Sequence, residues 1–488
     1  PATPLKTARR VNAAQTQRRL YMRFQRGITF LAAVLLAIVL APAALAQTAS
    51  TEDRVRQLEQ QVEQLKAEIS AMKSAPGTEA GGRIEELERR LEVLAGEIEK
   101  LKIGEAAAEA NRSDYGLGPA ASKVYRAERG ISIGSYGELV YQHIQGKEEP
   151  AAKVRGKAEE EEEEDEDLPG DHADVRRAVL YFGYKWSDRI LLNSEIEYEH
   201  AGGEVSVEFA YLDFLWKPQA NFRAGLVLLP VGFVNELHEP TVLLGADRPL
   251  VEQRILPTTW REMGFGLFGQ SGPFTYRTYV VNGFDASGFN DDGLRGGRQG
   301  GNQASARDLA WVGRLDYTGV PGLTVGGSAY AGKAGQGLES PEAGRIGVST
   351  RIFEGHLEWK WRGFEFRALG AQAHLNDVAA LNEALGLEGD ESVGERLQGY
   401  YLQLGYDLLS GHGGQRALIP YARWETLNTQ DKVPAGFSAN PDTDIRNFTV
   451  GLEYKPIEQV VVKADYQNVH NRARTGADRF TLLLGYVF

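Results

Sequence analysis

Nine cationic side chains recur at alternate positions of segments whose other positions are apolar. They are Arg177, Arg223, Arg314, Arg345, Arg351, Arg367, Arg423, Lys463 and Arg479. Set on one face of extended chain, such a series offers a path for oxyanions, because each guanidinium presents several donors in a fixed fork. Rings of charged side chains are a general source of ion selectivity. The same face carries Glu195, Glu197, Glu208, Asp316, Glu365, Glu453 and Asp465, so the two signs could instead brace one another. A second charged set lies in one stretch, Pro230 to Arg261. There Glu236, His238, Glu239, Asp247, Arg248, Glu252, Arg254 and Arg261 alternate with the apolar Val242, Leu243, Leu244, Leu250, Val251, Ile255 and Leu256.

Other chemistries find little support. The eight histidines are scattered, and no H-E-x-x-H, G-x-S-x-G or P-loop motif occurs. His200 beside Glu199, and His238 between Glu236 and Glu239, are the pairs with metal-ligand character. Nothing in their spacing marks a metal centre, so neither metal nor cofactor is assigned. The absence of cysteine excludes disulfides and thiolate sites. The net charge of −13 and the lack of a basic stripe give no footprint for nucleic acid. The expectation is a protein that is not an enzyme.

The elements that must position these charges read as strands. In Arg189 to Glu199, Ile190, Leu192, Ser194, Ile196 and Tyr198 fall on one face and Asn193, Glu195, Glu197 and Glu199 on the other. Sixteen such segments are legible between residues 131 and 488. Their connections alternate in length. Short ones such as Ser187–Asp188, Gln270–Gly272 and Arg362–Gly363 alternate with long ones such as 145–172, 230–261 and 283–306; Ala201 to Gly203 breaks the rule. This alternation predicts an all-β transmembrane barrel of about 16 antiparallel strands, with both termini at the short-turn, periplasmic end. An apolar loop sits poorly in water, so 230–261 is expected to fold into the mouth as a constriction. Its prolines 230, 240, 249 and 257 leave room for a short helix. The expected pore-lining residues are Arg223, Arg248, Arg254, Arg261, Arg314, Arg367, Arg423, Glu236, His238 and Glu239. Between Arg345 and Trp361 the polar parity switches near Gly355, which predicts a β-bulge there or two strands joined by a tight turn. Trp186, Trp216, Trp359 and Trp361 fall at strand ends beside short turns, as an interfacial girdle requires.

The first 130 residues read differently. Arg23 and Arg26, an apolar run from Ile28 to Leu40 and Ala44-Leu45-Ala46 have the layout of a secretory signal peptide, so residues 1–46 are expected to be upstream residues plus leader. Residues 47–103 read as a coiled coil. Val55, Leu58, Val62, Leu65, Ile69 and Met72 keep a 3,4 spacing, and Ile84, Leu87, Leu91, Leu94, Ile98 and Leu101 repeat it after a Gly-rich break. Sister subunits or a hairpin between the two pieces could cover the seams. Residues 104–130 read as a linker. The nine acids from Glu159 to Asp167, in the first long loop, are expected to form a hydrated tip.

The alternation of Phe480, Leu482, Leu484, Tyr486 and the terminal Phe488 resembles the closing-strand signal read by the barrel-assembly machinery. Together with the Asp174–Tyr184 strand, LVLLPVGFVNELHEP at Leu226–Pro240, and Pro257–Glu262, it makes residues 131–488 similar to the phosphate-selective porins of the O and P type. The resemblance implies a homotrimer with an anion-favouring pore, embedded in outer-membrane lipid and lipopolysaccharide and passing small inorganic or organic ions. The coiled-coil prefix looks like that of longer family members and would lie in the periplasm. A rival reading is a structural barrel tethered through its helices to peptidoglycan, with conduction incidental.

Overall fold

The computed structural model describes residues 51–73, 87, 89–91, 94, 115–145, 170–340, 344–410 and 416–488. The leader, the acid block at 159–167 and most of the second heptad segment lie outside the described residues. The chain divides into two units, Pro1–Lys102 and Ile103–Phe488.

In the first unit, α1 spans Thr51–Lys73. Leu58, Val62 and Leu65 are half-buried and Ile69 buried, whereas Glu59, Glu63 and Lys66 are exposed. The seam therefore follows the heptad positions, as a 3.6-residue period requires.

The second unit is a closed barrel of 16 antiparallel strands. In chain order these are β1 (Gly130–Gln145), β2 (Gly170–Ser187), β3 (Ile190–Glu199), β4 (Glu204–Lys217), β5 (Ala220–Leu228), β6 (Arg261–Ser271), β7 (Phe274–Asn282) and β8 (Leu309–Val320). They continue as β9 (Leu323–Lys333), β10 (Ser349–Trp361), β11 (Phe364–Leu375), β12 (Arg396–Tyr406), β13 (Ala417–Lys432), β14 (Asp444–Ile457), β15 (Val460–Asn471) and β16 (Asp478–Val487). Each pairs with its sequence neighbours. The barrel closes where β1 meets β16, from Tyr136 opposite Val487 to Gln145 opposite Asp478. Phe488 completes the seam by exchanging two 2.9 Å backbone hydrogen bonds with Ser135. Closure satisfies the edge N–H and C=O groups that an open sheet would leave unpaired.

The alternation sets which face is which. On β3, Asn193, Glu195 and Glu197 are buried inward, while Ile190 and Tyr198 are exposed outward. On β16, Phe480, Leu482 and Leu484 face out and Thr481 and Leu483 face in. Trp186, Trp216, Trp359 and Trp361 are about half exposed at the outer surface, at 52%, 60%, 45% and 50%. Such a surface, apolar outside and charged inside, inverts the soluble pattern.

One expectation fails. Pairing of β10 with both neighbours runs without a register shift through Gly355, so neither a bulge nor a second turn exists there. Thr350, Ile352, Glu354 and His356 all face in, and Arg351 faces out. Arg345 belongs to a small two-stranded hairpin with Glu339–Ser340 that is not part of the barrel sheet. The parity switch arose because 344–348 are loop: Val348 has φ +43°, which breaks extended chain just before β10 begins.

Candidate functional site: a charged lumen filled from two ends

The long connection after β5 turns into the barrel instead of standing above it. Asn235 anchors its two ends by donating through Nδ2 to Leu229 O (2.7 Å) and Trp260 O (2.8 Å). After Pro249 comes the one-turn helix α3, Leu250–Arg254, at the place the prolines left for it. Glu252 on that helix accepts from the backbone N–H groups of Phe233 and Val234 (2.8 and 2.7 Å) and from Tyr401 Oη (2.7 Å). Glu252 thus ties the start of the loop to its helix and, through Tyr401, to the wall.

Wall cations then hold its backbone. Lys455 Nζ donates to Thr241 O (2.8 Å), Arg367 to Val242 O (2.8 Å), Lys463 to Leu243 O (2.6 Å) and Gly245 O (2.9 Å), and Arg423 to Asp247 O (3.2 Å). Five loop carbonyls thus take donors from strands β11, β13, β14 and β15. The Asp247 carboxylate continues the docking across the barrel seam, to Gln467 Nε2 on β15 (2.5 Å), Arg479 Nη1 on β16 (3.4 Å) and Arg176 Nη1 on β2 (2.9 Å). Burial alone would raise this carboxyl, but Arg176, Arg479 and Arg423 hold it well below the usual carboxylate range. Leu244 completes the docking, packing on Ile419 and Tyr421.

A second segment enters from the short-turn end. Residues 115–127, within the stretch read from sequence as linker, include the short helix α2, Lys123–Arg126. Leu117, Ala120, Ala121 and Val124 are buried. Asn193 Nδ2 donates to Ala121 O (2.9 Å), Lys185 Nζ to Ala127 O (2.7 Å), and Tyr125 Oη to Asp213 (2.7 Å). The two fillers touch: Glu239 Oε1 accepts the N–H groups of Ala120 (2.9 Å) and Ala121 (3.2 Å).

The expected pore-lining residues therefore divide into two groups. Arg223 pairs with Asp213 (2.8 Å) and Tyr125 and is 1% exposed. Arg314 pairs with Asp316 (2.8 Å) and Arg367 with Glu358 (2.6 Å). Arg423 lies 3.4 Å from Glu425, Arg261 3.3 Å from Glu208, and Glu236 3.1 Å from Arg277. His238 bonds Glu195, and Glu239 is fully buried. These eight are buried and bonded within the protein, each at most 9% exposed. Of the expected set, Arg248 and Arg254 are part-exposed; Arg254 pairs with Asp292 at the mouth. Arg176, Asp213, Arg277 and the 115–127 segment were not singled out from sequence. One signal was available: glycines at inward positions. A Cβ at Gly183 would meet Val124 at 2.6 Å, at Gly134 the Ala120 carbonyl at 2.9 Å, at Gly405 Leu244 at 2.7 Å and at Gly485 Pro240 at 2.8 Å.

No family model matches the chain. A protein of Aquifex aeolicus, described as uncharacterized, is 34% identical over 408 residues, spanning 80% of this chain and 87% of the relative. The chain belongs to that protein's family. Among solved structures, the family member described here is similar to the OmpF complex of Salmonella typhi (12% identity, 74% of this chain and 98% of that one, TM-score 0.47). It is also similar to the anion-selective porin of Comamonas acidovorans (10%, 74% and 100%, 0.45) and to the trimer form of OmpT from Vibrio cholerae (12%, 74% and 100%, 0.43). Likenesses this weak carry no functional argument.

Proposed function

We propose that the protein is an outer-membrane porin, passing small hydrophilic solutes or ions down their gradients through a narrow path. The observation that carries this reading is the closed 16-stranded barrel with an apolar outer face and a charged, loop-constricted interior. A soluble protein has no use for such a face, and a closed barrel is one of two architectures that satisfy every backbone group in lipid. Selectivity in this reading belongs to the mouth. The wall arginines are neutralised by carboxylates or by loop carbonyls, so a column of open guanidiniums is not what a solute meets. Arg248 and Arg254, part-exposed near the mouth and the latter beside Asp292, are the expected arginines a solute can still approach, and in this reading they favour anions, phosphate among them. Trimer assembly, contact with lipopolysaccharide and a periplasmic coiled coil complete the proposal; the last rests on the seam of α1.

The filled lumen favours a second reading, that of a structural barrel joined to the cell wall through its helices. The two separate in planar bilayers. A porin gives discrete conductance steps, and its reversal potential in a salt gradient lies on the anion side. A folded barrel that inserts and conducts nothing overturns the porin reading.

A further inference from the structure

Under the root of the constriction loop, three side chains from distant parts of the chain converge. Glu195 comes from β3, Glu208 from β4 and His238 from the loop, and all are at most 2% exposed. A donor atom of each lies within 4.8 Å of the other two. His238 Nε2 is 3.1 Å from Glu195 Oε1 and 3.9 Å from Glu208 Oε2. For comparison, ligand atoms about 2.1 Å from a tetrahedral ion sit roughly 3.4 Å apart. The sequence neighbours Glu236 and Glu239 point elsewhere, to Arg277 and to the 115–127 segment.

We propose that Glu195, Glu208 and His238 form a binding site for a divalent transition-metal cation that staples the loop to the wall. Two observations besides the clustering point to a ligand. First, Glu195 Oε2 and Glu208 Oε2 are buried and make no hydrogen bond of normal geometry, with Tyr181 beside Glu195 and Glu197 beside Glu208 as neighbouring polar groups; this is a costly state for a carboxylate oxygen that a cation relieves. Second, the surrounding groups orient the donors inward. His238 Nδ1 lies 3.2 Å from Asn235 O, so its proton goes to that carbonyl and Nε2 is directed at the carboxylates, the usual arrangement for a ligating imidazole. Glu208 Oε1 is taken by Thr259 Oγ1 (2.8 Å) and Arg261 (3.3 Å), which turns Oε2 toward His238. One imidazole with two carboxylates and no thiolate suits zinc or a neighbouring first-row divalent ion. Arg261 offsets part of the negative charge, which tempers affinity without blocking Oε2. With no metal, a proton on Nε2 bridges His238 to Glu195. The ion would replace that proton and add a bond to Glu208, fixing the loop at residues 235–239 to two strands.

The full chain, folded in detergent and stripped with EDTA, is titrated with zinc chloride by calorimetry, and cobalt substitution is followed by visible absorption. One zinc per chain is expected, with a tetrahedral or five-coordinate cobalt spectrum. H238N and E208Q should abolish stoichiometric binding while keeping the heat-modifiable migration of a closed barrel. T259V, which removes only the orienting hydroxyl, should weaken it by about 10–100-fold. Wild type that binds no zinc, or H238N that binds it with unchanged stoichiometry and affinity, overturns the proposal. If H238N does not fold, E208Q with wild-type affinity does the same.

Discussion

Replacing Asp247 with alanine should release the constriction loop from the wall. The carboxylate and its partner Arg176 have side chains only 9% and 7% exposed, so solvent screens them little. Removing one partner of a buried ion pair costs about 3–5 kcal/mol, because the other charge is left uncompensated. If about 3 kcal/mol of that falls on loop docking, the undocked population rises by roughly 150-fold, at about 1.36 kcal/mol per tenfold. The absence of cysteine makes the measurement clean. A single thiol at Leu244, 4% exposed against Ile419 and Tyr421, reacts with a maleimide only when the loop lifts. Labelling of L244C/D247A should be about a hundredfold faster than that of L244C, with strand circular dichroism and heat-modifiable migration unchanged. Equal labelling rates in the two folded proteins would refute the claim that Asp247 pins the loop.

Other outcomes follow from the same contacts. The Asp247 carboxyl is depressed in the folded state, so its contribution is complete above the free-carboxyl value of about 4 and is lost as pH falls below it. Because the thiolate is the reacting form, the L244C rate is divided at each pH by that of the same thiol in unfolded protein; this ratio should be flat from about pH 8 to 5 and rise in stronger acid, and D247N should lack that rise. Gly405→Val should lower the melting temperature by crowding Leu244, and adding Leu244→Ala should restore part of the loss. Arg248→Ala with Arg254→Ala should move the reversal potential toward cations. Arg223→Ala should leave it in place but destabilise the barrel, because Asp213, fully buried, loses its cation and keeps only the Tyr125 hydroxyl. Deleting Phe488 removes two seam hydrogen bonds to Ser135 and should cut the folded, heat-modifiable fraction recovered from membranes.

The strands were legible because period-two patterning is local. Asn193, Glu195 and Glu197 announce an inward face without knowledge of any neighbour, and the count of sixteen follows from turn spacing. The mismatch at 344–361 is local too: Val348 at positive φ is invisible to an alternation rule, which therefore extends the strand into loop and points Arg351 inward. The site was less legible, for a topological reason. Whether Arg367 meets a solute or the carbonyl of Val242 depends on where a loop 125 residues away is threaded. Inward Arg and Lys residues are equally suited to an oxyanion and to a backbone carbonyl, since both accept the same donors. The grouping of Glu195 and Glu208 with His238 likewise depends on loop threading. The inward glycines at 134, 183, 405 and 485 were the residues that recorded the presence of something inside.

The account rests on a conducting path that the folded-in loop restricts. Single-channel recording of the full chain, beside a variant in which residues 240–247 are replaced by a short Gly-Ser linker, tests it directly. Small discrete steps from the wild type and several-fold larger steps from the variant are predicted. Silence from both, with each shown to be inserted and folded, would contradict it.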